Sequence, residues 1–299
     1  MSHIVTLVSS SPQKPVGSRH IDEAIRIMDR YNIVPTCAPV WLTPGKAVDL
    51  GISEKPGGAL IMHLRDMLSA TEIDVFFTDP DRRRKKLLLA DMDSTIINGE
   101  TLDELAEFAG LKEKISAITA LAMEGKLDFN SALRERVSLL KDLPVEALGK
   151  TLERMSSNPG AEIFIKTMKK SGATCVLVSG GFTFFTEAVA QQTGFDHHHG
   201  NTLEIENGKL TGKVLGSILD KFAKHDFLKS YTRDLKIKPE DTLTIGDGAN
   251  DIPMLKAAGL GIGYKPKETV KNEINNLIIY GDLTAALYAQ GFTEAHFVR

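Results

Sequence analysis

The sequence predicts an α/β protein built on a mostly parallel sheet with helices on both faces, preceded by a smaller α/β unit. Three observations carry the prediction. From about residue 87 onward, short apolar runs alternate with amphipathic helical segments, the pattern of repeated βα units. The run Leu87-Leu88-Leu89-Ala90 is apolar at every position, as a strand covered on both faces requires. Ahead of it lies Asp79-Pro80-Asp81-Arg82-Arg83-Arg84-Lys85-Lys86, read as a solvated linker or strand entry, which puts a boundary near residue 80. The 299 residues suffice for one large domain or two ordinary ones.

In the first unit, residues 1–80, His3 to Val8 reads as a strand. Ile21, Ala24, Ile25 and Met28 fall on one face of a helix. Ile33 to Leu42 reads as extended, and Pro35 and Pro39 place it at an edge. Leu60, Leu64, Met67 and Leu68 mark a second helix, and Ile73 to Phe77 a further strand. This alternation resembles the small ACT domains that bind amino acids, which makes the unit a candidate regulatory or dimerising element.

Beyond Ala90, Thr101-Leu102-Asp103-Glu104 has the form of a capping box, with Gly110 as the stop of its helix. Helical patterns continue to about Met155, and another helix runs from Ala161 to Gly172. Strand Thr174 to Val178 leads into Ser179-Gly180-Gly181 and a helix. Leu203 to Val214, with Asn207-Gly208 inside it, reads as a β-hairpin. A helix over 219–235 precedes strand Thr242 to Ile245, which opens into Gly246-Asp247-Gly248-Ala249-Asn250-Asp251. Leu260 to Tyr264 and Leu277 to Tyr280 close the sheet.

Composition narrows the function classes. The net charge of −3 favours neither nucleic acid nor an anionic membrane. No apolar stretch approaches a membrane span, and no charged start followed by an apolar core opens the chain. The two cysteines, Cys37 and Cys175, cannot make a disulfide scaffold, and Cys175 reads as a buried small residue. A cytoplasmic protein acting on a small molecule is expected. The triple His197-His198-His199 reads as surface turn or strand, because consecutive side chains cannot all face one ion.

Three strands end in polar sequences: Asp91 and Asp93, Ser179-Gly180, and Asp247 with Asn250 and Asp251. In open α/β sheets the carboxyl ends of strands converge on one crevice. Asp91 and Asp93 at i and i+2 face one way in an extended chain, and such like charges need a cation or a shared proton. An oxygen-only set of carboxylates selects a hard cation, here Mg²⁺. Ser179-Gly180-Gly181 at a helix start offers a hydroxyl and backbone N–H groups to an anion. Magnesium beside an anion cradle points to phosphate chemistry.

These motifs in this order, with a lysine between the second and third, resemble the haloacid-dehalogenase-like (HAD) phosphatases. Asn98 to Glu104, Ala122 to Phe129 and Arg134 to Val137 narrow the resemblance to the phosphoserine phosphatases. It covers roughly residues 85–295 and implies a Rossmann-like HAD domain over 81–299, with core 81–97 and 156–299 and a helical cap over 98–155. It implies Asp91 as the nucleophile, Asp93 as general acid and base, and a metal site for one Mg²⁺ ion from Asp91, Asp93 through its backbone carbonyl, and Asp247. Asp251 would orient a metal-bound water or a neighbouring group, the reading preferred over direct ligation of the metal. Ser179, Gly180, Lys224 and Asn250 would hold phosphate, with Lys221 the competitor of Lys224 by position. Glu100 would meet the substrate ammonium, Arg136 its carboxylate, and Met123 and Phe129 would exclude water. The implied substrate is phosphoserine, hydrolysed to serine and phosphate in serine biosynthesis. Pairing of two chains through the N-terminal unit is the assembly to test.

Overall fold

The computed structural model describes residues 3–123, 127–220 and 222–299. Its first unit runs β1 (His3–Ser9), α1 (Ser18–Arg30), β2 (Val40–Thr43), β3 (Ala47–Ile52), α2 (Gly58–Ser69) and β4 (Ile73–Thr78). These strands form an antiparallel sheet in the order β2-β3-β1-β4, the order of a split β-α-β-β-α-β unit. Ile21, Ala24, Ile27 and Met28 of α1 and Leu60, Leu64 and Leu68 of α2 bury against the sheet. Ile27 takes the inward position expected for Ile25, which packs at the margin.

Strand β3 is absent from the sequence reading, because Asp49 and Gly51 interrupt its apolar pattern. Asp49 is nonetheless buried and accepts hydrogen bonds from the Thr6 hydroxyl at 2.8 Å and from Arg83 Nη2 at 2.7 Å. The same contact corrects the reading of residues 79–86 as solvated. Arg83 also donates to the carbonyls of Ala289 and Tyr288, at 2.9 and 3.2 Å. The buried Lys85 ammonium donates to the carbonyls of Arg82 and Glu240. The basic run thus ties the first unit to the second. Asp74 adds a further tie by accepting the N–H groups of Ile279, Tyr280 and Gly281. Burial outweighs those three bonds and pushes its carboxyl up to about 6.

The second unit opens with β5 (Leu87–Ala90) and a two-residue strand β6 (Ile97–Asn98). Helices α3 (Thr101–Phe108), α4 (Lys112–Met123), α5 (Phe129–Ser138) and α6 (Glu146–Arg154) follow, then β7 (Ser156–Ser157). The remaining elements are α7 (Ala161–Lys170), β8 (Thr174–Phe182), α8 (Thr183–Thr193), β9 (His197–Glu206), β10 (Lys209–Leu215), α9 (Ala223–Asp234), β11 (Thr242–Gly246), α10 (Ile252–Ala257), β12 (Leu260–Tyr264), α11 (Glu268–Glu273), β13 (Asn276–Ile278) and α12 (Ala285–Ala289). The sheet order is β10-β9-β8-β5-β11-β12-β13, parallel except for the β9–β10 hairpin. Leu88 and Ala90 of β5 point into one apolar cluster, Leu87 and Leu89 into the other, so both faces of the strand are covered.

From β5 the chain crosses to β8 on one side and later returns to β11 on the other. The order therefore reverses at β5, and a crevice opens there beyond the carboxyl ends of the strands. Helices α3 to α6 leave and re-enter the core through a neck where β6 pairs antiparallel with β7. Buried Asn158 latches the neck by donating to the carbonyls of Thr95 and Ile97, at 2.9 and 3.1 Å. His197, His198 and His199 lie in β9, where His199 stacks on Phe227 and bonds Tyr231 at 2.8 Å. Cys175 is buried and Cys37 exposed, both as free thiols. Among the described residues, no helix is long and apolar enough to cross a membrane.

Candidate active site

Strand β5 stops at Ala90, and Met92–Ile96 form a kinked turn in which Asp93 (φ −64°, ψ 136°) and Ser94 leave helical backbone angles, so the two acids do not simply continue a flat strand. Ser94 takes a left-handed φ of 55°, and its N–H donates to the Gly99 carbonyl at 2.9 Å. The result separates the partners of the two carboxylates. Asp91 meets the ammonium of Lys224 at 2.7 Å. Asp93 turns toward the second motif: Oδ2 accepts the Ser179 hydroxyl at 2.9 Å and Oδ1 accepts the Thr101 N–H at 2.8 Å.

That last bond corrects the capping-box reading. The residue preceding α3 is Glu100, Thr101 is the first helical position, and the acid capping its N–H is Asp93. A carboxylate at a helix start is favoured by the free N–H groups there.

Ser179-Gly180-Gly181 sit in a bulge at the end of β8, where the register with β9 shifts between Val178 and Phe182. The bulge bends the strand end toward the crevice before α8 begins at Thr183. Ser179 is buried, and its hydroxyl oxygen also accepts the Gly181 N–H at 2.8 Å. A side chain at Gly181 would come within 3.0 Å of both Asp93 Oδ2 and Ser179 Oγ.

At the end of β11, the Asp251 carboxylate folds back over Gly246. A Cβ added at Gly246 would lie 2.4 Å from the Asp251 carboxylate, so only glycine permits this approach. Oδ2 of Asp251 accepts the N–H groups of Asp247 and Gly248, both at 3.1 Å, and Oδ1 meets Lys224 at 2.6 Å. Lys224 is thus buried between Asp91 and Asp251. Burial alone would lower its pKa, but the two carboxylates, Asp251 and Asp91, outweigh burial and hold the ammonium above the ordinary lysine value.

The acids show the opposite imbalance. Burial, then the charge of Asp251, raises the Asp91 carboxyl well above the usual range despite Lys224. Burial also raises Asp93 and Asp247. One carboxylate oxygen from each of Asp91, Asp247 and Asp251 lies within 4.8 Å of the others. This all-oxygen cluster is short of positive charge and has the chemistry of a hard divalent cation site. Asp93 is not one of these three, and its side chain is engaged with Ser179 and Thr101.

Around the mouth, exposed Glu100 accepts the Ser94 hydroxyl at 2.8 Å. The atoms packed beside it displace enough water, with Asp93 adding its charge, to push its carboxyl up to about 7. Arg136 on α5 donates to the Ala132 carbonyl and the Thr119 hydroxyl, and its guanidinium faces the charges of Asp103 and Glu100. Asn250 is exposed beside Gly248. Gly180 lies in the bulge, where its carbonyl accepts Asn201 Nδ2 at 2.7 Å. Lys221 and the side chains of Met123 and Phe129 lie outside the described residues. One residue was not foreseen: Lys267, whose ammonium stands 3.2 Å from Asp247 Oδ2.

Comparison with known proteins agrees with this geometry. Residues 88–256 match the family model of haloacid dehalogenase-like hydrolases. The phosphoserine phosphatase of Methanocaldococcus jannaschii is 44% identical over 205 residues, covering 69% of this chain and 97% of that protein. Two further curated relatives are longer, and the chain spans 55% and 62% of their length. A HAD family hydrolase from Salmonella enterica serovar Typhi superposes with a TM-score of 0.84 at 28% identity, over 97% of this chain and 98% of that one. A phospho-aspartyl intermediate analogue of phosphoserine phosphatase superposes with a TM-score of 0.64 at 44% identity, over 69% of this chain and 98% of that one. With its motifs on β5, β8 and β11 around one crevice, the chain belongs to the haloacid dehalogenase-like hydrolases.

Proposed function

We propose that the protein is a cytoplasmic Mg²⁺-dependent phosphoserine phosphatase that releases serine and phosphate through an aspartyl-phosphate on Asp91. The observation that carries this reading is the buried Asp91–Lys224–Asp251 arrangement, with ion pairs of 2.7 and 2.6 Å, together with the Ser179–Asp93 hydrogen bond of 2.9 Å, at the carboxyl ends of adjacent strands. Asp91, Asp247 and the Asp93 backbone carbonyl would hold the cation. When bound, it supplies positive charge against which a dianionic phosphate can approach a carboxylate.

The chain's own residues do the rest. Asp91 attacks phosphorus and needs no base, since it acts as a carboxylate. Lys224 offsets charge on Asp91 and on the incoming phosphate, and Asp251 holds Lys224 and the 247–248 backbone in place. Ser179, the Gly180 N–H and Asn250 bind phosphate oxygens. Serine would leave as an alkoxide, a poor leaving group, so Asp93 gives it a proton. Asp93 then takes a proton from the water that hydrolyses the acyl-phosphate, which frees phosphate and regenerates both acids.

Specificity rests on the mouth. Glu100 receives the substrate ammonium and Arg136 its carboxylate, with Met123 and Phe129 excluding water. Arg136→Ala is expected to lower kcat/KM for phosphoserine by roughly 10–10²-fold, the worth of one charged hydrogen-bonding partner. The same variant should leave an aryl phosphate, which has no carboxylate, nearly unchanged. Equal losses on both substrates would remove Arg136 from the carboxylate role. The N-terminal unit enters the same reading as a regulatory or dimerising element, supported by edge strand β2 with exposed Val40 and Trp41. Light scattering would show a dimer mass; a monomer at every concentration would remove the pairing.

A further inference from the structure

Lys267 takes no part in the proposed reaction, yet it is fixed to the site at two points. Its N–H donates to the Asp247 carbonyl at 2.9 Å, and its ammonium pairs with Asp247 Oδ2 at 3.2 Å. The loop that delivers it is constrained, with Lys265 at a left-handed φ of 39° and Pro266 fixing the next torsion. Lys267 and Lys224 differ in their freedom. The Lys224 side chain is 5% exposed and locked between two carboxylates, whereas that of Lys267 is 51% exposed and can swing outward without leaving water. Around these two ammonium groups stand the carboxylates of Asp91, Asp93, Asp247, Asp251 and, at the mouth, Glu100. Among the described residues, Lys267 is therefore the cation beside the cluster that is free to be displaced.

We propose that Lys267 is a displaceable counter-cation that sets how tightly the site holds its divalent cation. It neutralises Asp247 while no metal is bound. When a metal enters, Lys267 competes for the same carboxylate and repels the ion. It is a positioning residue, since it acts through Asp247, and it keeps the metal exchangeable. The inference rests on the divalent-cation reading above.

The test is a calorimetric titration of Mg²⁺ into the metal-stripped full chain without substrate. Lys267→Met is expected to bind Mg²⁺ about tenfold tighter than the parent, the order expected for removing one partly solvated like charge beside the ion. Lys267→Arg should restore the parent affinity. Metal-free Lys267→Met should also melt at a lower temperature than the parent, with the gap closing at saturating Mg²⁺. Parent-like or weaker binding by Lys267→Met, with the parent binding normally, overturns the proposal alone. Binding by neither protein overturns it together with the metal assignment, and Asp247→Asn serves as the non-binding reference.

Discussion

Asp91→Asn is expected to lower phosphoserine turnover by about 10⁴-fold or more, since the amide cannot form an acyl-phosphate. The fold should survive, and the geometry says why. Lys224 keeps Asp251 at 2.6 Å, so its buried ammonium is not orphaned. The amide oxygen can still accept from Lys224, and one like charge leaves a cluster that also holds Asp247 and Asp251. Metal-free Asp91→Asn should therefore melt no lower than the parent, by calorimetry or circular dichroism. Substantial retained turnover would remove Asp91 from the nucleophile role, whereas an unfolded variant would contradict the charge account.

Asp93→Asn carries the second large effect, about 10²–10⁴-fold on phosphoserine. The amide oxygen can still accept the Thr101 N–H and the amide –NH2 can donate to the Ser179 hydroxyl oxygen, so the turn and the start of α3 should hold. What it loses is the proton. That loss matters most when the leaving group is a strong base, as serine alkoxide is, and least when it is a nitrophenolate. The two substrates should therefore diverge, with the aryl phosphate losing much less in the step that forms the acyl-phosphate. A stopped-flow burst of nitrophenolate isolates that step. Burst rates that fall as far as phosphoserine turnover would assign Asp93 a structural task in place of proton transfer.

Much of the core was legible in the sequence because its central strands are short runs of apolar and β-branched residues. Leu87 to Ala90, Thr174 to Val178 and Thr242 to Ile245 lie at the centre of the sheet, and each runs into its motif at the crevice. Strand β3 was not legible, since its Asp49 is buried by virtue of Arg83, 34 residues away, and no local pattern reports such a partner. The basic run at 79–86 misled for the same reason: charge along the chain suggests solvent, while Arg83 and Lys85 are satisfied by carbonyls and an acid from distant segments.

Within the site, the separate partners of Asp91 and Asp93 depend on a left-handed turn at Ser94, a residue that carries no strong signal for it. Side chains alternate only while the chain is extended, and the strand ends at Ala90. Lys267 lies in a Lys-Pro-Lys-Glu stretch that reads as an exposed loop. Its role appears only when β12 and α11 bring it against Asp247, and a lysine next to proline after a core strand was the signal available. Gly246 shows the converse. The glycine was visible, but the reason for it, the Asp251 carboxylate lying over its α-carbon, is a three-dimensional fact.

The central claim is that phosphate passes through Asp91. Acid quenching during phosphoserine turnover, followed by mass mapping of the peptides, tests it most directly. The account predicts one phosphoryl group on the peptide carrying Asp91, labile to hydroxylamine and missing from Asp91→Asn. A phosphoryl group on another residue, or steady turnover with no phosphorylated protein under conditions that preserve acyl-phosphates, would contradict it.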